Sequence, residues 1–124
     1  MAISTVDISS PSGLKKYRNT DIAEVIAGVD GTSGRLHSVV VDNTANAAAA
    51  SYLKIWNTAS GSVTVGTTAP DIIIYVPAAT KLHVVFHDGL VYSTALSIAC
   101  VTTAGTAGTT GPTSDVIVEL IYET

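Results

Sequence analysis

Residues 43–57, NTANAAAASYLKIWN, decide how the chain is read. The alanines at 47–50 carry the best intrinsic helix propensity of any residue and invite a helix. Tyr52, Leu53, Ile55 and Trp56 follow at once in the manner of a strand, and Asn57-Thr58-Ala59-Ser60-Gly61 stops the run. Asn43 and Asn46 favour turns, and small side chains let a connection lie flat against neighbouring strands. The stretch therefore reads as a turn leading into a strand. One helical turn at 45–50 fits; a long helix does not.

The same pattern recurs along the chain. LHSVVVD (36–42), SYLKIW (51–56), DIIIYV (71–76), KLHVVF (81–86), LSIACV (96–101) and DVIVELIY (115–122) are the clearest runs, with EVIAGV (24–29) a seventh and ISTVDIS (3–9) a weaker eighth. Short strands separated by Gly, Pro, Asn and Thr point to an all-β fold, a sandwich or a barrel. No segment keeps apolar residues at i, i+3, i+4 and i+7 for long enough to make a substantial helix.

The alternation also sorts faces. In 81–86, Leu82, Val84 and Phe86 oppose Lys81, His83 and Val85, the pattern of a half-buried strand. In 115–122, Val116, Val118, Leu120 and Tyr122 oppose Asp115, Ile117, Glu119 and Ile121. In 71–76, Ile73 and Tyr75 oppose Ile72, Ile74 and Val76, so both faces are apolar. Second faces of this kind need cover from another sheet, an arm or a subunit, and a subunit is the expected cover. Ile73, Tyr75, Ile117 and Ile121 are accordingly the candidate oligomer-interface residues.

Composition agrees. The chain has 124 residues, one domain's length, with 47% apolar and only 13% charged residues. Thr (17) and Ser (12) take the place of the missing charges and favour strands. A surface so poor in charge suits a chain partly covered by other protein. Net charge is −4, yet LKKYR (14–18) holds three of the six basic residues, and none follows Lys81. Three cations make a poor phosphate-binding footprint, so a tether to an acidic protein is favoured over nucleic acid. No apolar window of 18 residues is long enough to cross a membrane as a helix, and the N-terminus lacks the basic start and apolar run of a secretory signal. Cys100 is the single cysteine, which excludes an internal disulfide and a cysteine-rich zinc site.

The search for chemistry finds little. His83 and His87 lie four apart, which on a strand separates them by roughly 13 Å, unless Asp88-Gly89 bends the chain sharply. There is no Gly-x-Ser-x-Gly, no paired carboxylates in contrasting environments, no EF-hand spacing and no dinucleotide fingerprint. TTAGTAGTTGPTSD (102–115) is glycine-rich, but its glycines lead into Pro112 and a strand, and it has no lysine for a phosphate loop. Its length marks it as a functional or mobile loop. Tyr52, Trp56 and Tyr75 can stack sugars or bases, but strand packing already accounts for them. Catalysis is not expected, and neither is a metal or organic cofactor.

Taken together, LHSVVVDNTANAAAASYLKIWN, GTTAPDIIIYVPAATKLHVVFHDGLVYSTALSIACVTTAGTAGTT and SDVIVELIY resemble a family of small β-sandwich domains in tailed-bacteriophage virions. The resemblance rests on Asn43-Thr44, the turn at 47–50, the strand from Tyr52 to Trp56, Val65 to Pro70, Ile74 to Ala78, Phe86 to Leu90 and Ser93 to Leu96. Trp56 stands where the family pattern has Tyr, and Ala95 where it has Gly. It covers roughly residues 36–122.

The resemblance implies a virion structural protein. The expectation is a single antiparallel β-sandwich, jelly-roll-like, over residues 21–124, preceded by an extended N-terminal arm over 1–20. Its expected role is capsid decoration: a homotrimer bound to the major capsid protein at the capsid surface, without nucleic acid or membrane. The other reading is a tail, neck or fibre domain binding host glycans. Ile3, Val6, Ile8, Lys15, Lys16 and Arg18 are the candidate capsid-anchoring residues, because SSPSG and the basic cluster set the arm apart from the body; the alternative for this segment is an intramolecular or domain-swapped first strand with no role in anchoring.

Overall fold

The structure, a computed structural model, describes residues 13–124. In chain order the strands are β1 (Leu14–Asn19), β2 (Ala27–Asp30), β3 (Gly34–Asp42), β4 (Ser51–Trp56), β5 (Ile72–Val76), β6 (Lys81–Tyr92), β7 (Leu96–Val101) and β8 (Ile117–Glu123), with one 3-10 turn at Ser60–Ser62. All six clear alternating runs are strands, and the seventh overlaps β2. The weaker run at 3–9 lies outside the described residues.

Two four-stranded sheets form, ordered β1-β8-β3-β6 and β2-β7-β4-β5, and every pairing is antiparallel. First pairs with last, second with seventh, third with sixth and fourth with fifth. The chain is thus one long hairpin, turned between β4 and β5 within one sheet and rolled so that along each arm successive strands fall in alternate sheets. That is an all-β sandwich of jelly-roll topology.

Period-two alternation builds the core between the sheets. Leu36, Val39, Val41, Val118 and Leu120 from one sheet meet Leu53, Ile55, Ile74, Val76, Ile98 and Cys100 from the other, all buried. Leu82, Val84, Phe86 and Leu90 of β6 pack against this cluster from the edge.

The alanine run forms no helix. A turn at 44–45 and bends at 47–48 carry the chain from β3 into β4. Propensity is overridden by the buried side chain of Asn43. Its Nδ2 donates to the carbonyls of Ala49 (3.1 Å) and Pro77 (3.0 Å), while its Oδ1 accepts from Asn46 Nδ2 (2.9 Å) and Ser51 Oγ (2.8 Å). Asn46 is tied reciprocally to Ser114, donating to its carbonyl at 3.0 Å and accepting from its N–H at 2.9 Å. Two asparagines therefore satisfy three loops at one end of the sandwich, where unmet polar groups would each cost about 1–3 kcal/mol.

Two segments differ from expectation. Residues 14–19, placed by sequence in the N-terminal arm, form edge strand β1 in register with β8, Tyr17 opposite Leu120. Tyr17 packs on the core while Lys16 and Arg18 face outward opposite Ile121 and Glu119; Lys15, on the same side as Tyr17 and opposite Tyr122, is exposed at the end of the edge strand. Asp88-Gly89 does not end the 81–86 strand. It forms a bulge inside β6: Leu36 pairs with Leu90 and Ser38 with Val85, so four residues of β6 stand against His37 alone. Both Asp88 (φ 64) and Gly89 (φ 78) take positive φ, and a side chain at 89 would press on the His37 ring, so glycine fits there.

Candidate functional site

The outer face of the β1-β8-β3-β6 sheet is mixed and wet. Lys16 Nζ lies 2.6 Å from Glu119 Oε2, with Arg18 Nε at 4.0 Å, and His37 Nε2 meets Glu123 Oε1 at 3.0 Å. The hydrogen bond from Lys16 leads the effects that hold the Glu119 carboxyl below its usual range. Ile117 and Ile121 flank Glu119 on this face and stay half-buried. Lys15 is exposed and has no ion pair among the described residues.

The outer face of the other sheet is closed by the chain's own loops. Trp56 and Ala99 project from β4 and β7 into a second small cluster with Val63, flanked by Ile26 and Val65, and Trp56 Nε1 donates to the Thr68 carbonyl at 3.1 Å. Beside Trp56 on β4, Lys54 is fully buried. Its Nζ donates to the carbonyls of Thr106 (3.1 Å) and Gly108 (2.9 Å), and no carboxylate pairs with it among the described residues. Desolvation depresses the Lys54 pKa. The low-complexity loop at 102–115 is thereby a lid, pinned to the sheet by one amine. Gly66 (φ 94) lets the 57–70 loop approach Thr109, locking the two loops together.

Lys54, Trp56, Ala99 and Val101, which face outward on β4 and β7, are thus buried within the chain itself. What the loops leave uncovered is β5. Ile73 is 37% exposed and Tyr75 54%, with Tyr75 tilted against Tyr52 at a ring separation of 5.4 Å.

The four candidate interface residues are therefore split. Ile73 and Tyr75 sit on the outer face of one sheet, Ile117 and Ile121 on the outer face of the other, with the core between them. Of the candidate anchoring residues, Lys15, Lys16 and Arg18 lie on β1, while Ile3, Val6 and Ile8 fall outside the described residues.

A third feature was invisible to strand-by-strand reading. β5 and β6, joined by residues 77–80, edge their two sheets on the same side of the sandwich. Between them opens a crevice of about 220 Å³, walled by Leu36, Ile55, Ile72, Leu90 and Leu96, with Asp71 and Asn57 also lining it. Asp71 Oδ2 accepts the Asn57 backbone N–H at 2.7 Å. Nearby, Tyr92 donates to Asp30 Oδ2 at 2.7 Å, and Thr124 Oγ1 does the same at 2.6 Å. Desolvation pulls the Asp30 pKa upward, but hydrogen bonds from Thr124, Tyr92 and Thr32 outweigh it, and the carboxyl stays below its usual range. Burial, helped by Asp30, pushes the Tyr92 hydroxyl well above its usual range.

Among the described residues, no three His, Cys, Asp or Glu side chains gather in a metal-holding group, and His83 and His87 are exposed on β6 on either side of Phe86. Burial pushes the Cys100 thiol up to about 12, which leaves it protonated and unreactive at neutral pH. A scan against models of known protein families finds no match to this chain, and a search of curated proteins finds none either.

Proposed function

We propose that this chain is a bacteriophage virion structural protein, a capsid decoration protein that binds and stabilises the lattice of a major capsid protein as a homotrimer. One observation carries the reading: in a chain this poor in charge, apolar side chains remain at the surface on both outer faces, Ile73 and Tyr75 on one, Ile117 and Ile121 on the other. Two unlike patches on opposite faces do not form a self-complementary pair. They meet head to tail, and such contacts close into a ring only where each copy is rotated against the last, and otherwise extend as an open stack. Covering such surface is worth about 25 cal/mol per Å². The sequence resemblance at 36–122 supplies the particle.

In this reading residues 1–12, with Ile3, Val6 and Ile8, reach the capsid, and Lys15, Lys16 and Arg18 on β1 steer the approach to an acidic surface. The steering weakens within a Debye length of about 8–10 Å. Because β1 belongs to the sandwich, the informative deletion removes residues 2–12 and spares it. The test is occupancy. Purified protein is added to capsids that lack it, and the particles are imaged. Stoichiometric, regularly placed density with threefold symmetry is expected, and its loss with the deleted protein identifies the anchor. Absence of binding to capsids, together with binding on a glycan array through Tyr52 and Tyr75, would replace the reading with a fibre or tail domain.

A further inference from the structure

A sheet edge exposes a row of backbone N–H and C=O groups, and proteins either guard such edges or use them. Four strands edge these two sheets: β1, β6, β2 and β5. Three carry guards. β1 displays Lys15, Lys16 and Arg18. β6 breaks its line with the Asp88-Gly89 bulge and exposes Lys81, His83 and His87. β2 is four residues long and its register slips between Gly28 and Asp30. β5 has no such device: it reads IIIYV, with no charge, no proline and an unbroken register against β4.

Beside that unguarded edge lies the apolar crevice, with Ile72 of β5 as one wall. At about 220 Å³ it is smaller than the roughly 300–1,000 Å³ of a ligand pocket and suits side chains instead. The seam between β5 and β6 is closed at one end by residues 77–80, and the crevice lies towards the other end, by Asp71 and Leu90.

We propose that β5 is a strand-addition site for an extended segment of a partner protein. Backbone hydrogen bonds to the free edge supply affinity, and alternate apolar side chains that enter the crevice supply selectivity. The segment carries a basic residue at its C-terminal end, because addition antiparallel to β5 brings that end to Asp71. This charge preference favours such a partner over the alternatives within the chain. A second β5 brings no cation, since residues 71–76 hold one charge, Asp71 itself, and residues 1–12 hold Asp7 and no Lys or Arg. The added strand lies in the plane of the sheet while Ile73 and Tyr75 project from its face, so edge and face contacts are compatible. The inference goes beyond the capsid reading and does not depend on it.

The test uses the full chain, isotope-labelled, titrated with a ten-residue peptide of alternating valine and threonine ending in lysine. Expected are amide shifts and slowed hydrogen exchange confined to 71–76 and the facing residues 90–92. Asp71→Asn keeps an acceptor for the Asn57 N–H, and is expected to weaken this peptide by up to about fivefold, the range of an exposed ion pair. The same peptide ending in norleucine should bind wild type and variant alike. No perturbation at millimolar peptide overturns the proposal, as does protection of β1, β2 or β6 in place of β5. Backbone-to-backbone contacts between the β5 strands of two copies in the absence of peptide also overturn it, assigning the edge to a second copy.

Discussion

Lys16 and Lys54 stand on the outer faces of opposite sheets and are satisfied in opposite ways. Lys16, with its side chain 57% exposed, meets Glu119 in water; Lys54 is fully buried, and two loop carbonyls accept its hydrogen bonds. The first arrangement is cheap and replaceable, because solvent screens an exposed ion pair and rehydrates either partner. The second is committed, because a buried amine left without its carbonyls is costly, and so are the carbonyls without the amine. One face of the sandwich is finished by charge. The other is finished by folding the chain's own loops over a second small cluster, which leaves the β5 strip as its open part.

Substitutions that strike the loop-covered face should therefore hurt most. Trp56→Ala removes the centre of the second cluster and is expected to cost about 4 kcal/mol in urea unfolding. Ile121→Ala on the other sheet's outer face should cost about 1 kcal/mol or less, as suits a half-buried side chain. Equal losses at the two positions would erase the distinction between the faces.

Lys54→Met keeps most of the side-chain volume but orphans the Thr106 and Gly108 carbonyls. A loss of about 2 kcal/mol is expected. Amide exchange should accelerate across residues 102–110 while β3 and β8 stay protected. Unchanged exchange in that loop would mean that the amine does not pin it.

The pH dependence of the same pair sharpens the comparison. Burial lowers the Lys54 pKa, so between that lowered value and the unfolded value of about 10.4 the unfolded chain binds more protons. The Lys54 contribution to stability therefore rises with pH through this alkaline window. Cys100 and Tyr92, both shifted upward by burial, act the other way as the unfolded chain loses their protons first. Subtracting the Lys54→Met curve isolates the lysine: the stability advantage of wild type should widen as pH climbs towards 10. A constant difference would contradict the assignment.

The smallest effect belongs to the wet face. Lys16→Ala should leave the denaturation midpoint within experimental scatter, and added salt should remove any residual difference.

How far these contrasts could be read in the sequence depends on the length scale of each. Period-two alternation is local, so six strands and their inward residues were legible, and Asn43 and Asn46 already argued against a helix at the alanines. β1 escaped because LKKYRN offers a single apolar inward residue, Tyr17, among cations, which resembles a tether as much as an edge strand. The continuation of β6 escaped because Asp-Gly serves turns and bulges alike. The partner of Lys54 lies some fifty residues away in a loop without charge, and nothing local signals it. Alternation also shows that Ile73 and Ile117 point away from the core, but not that their strands lie in different sheets. That separation turns one imagined patch into two.

The separation can be tested directly with cysteines, since buried Cys100 should stay silent. A variant carrying both Ile73→Cys and Ile121→Cys is oxidised at micromolar concentration and run under denaturing conditions, beside each single variant. Head-to-tail closure predicts covalent species up to a trimer and no larger from the double variant, and none from either single one. Disulfide dimers from a single variant, a ladder running past the trimer, or no cross-link from the double variant would contradict a ring built from the two outer faces.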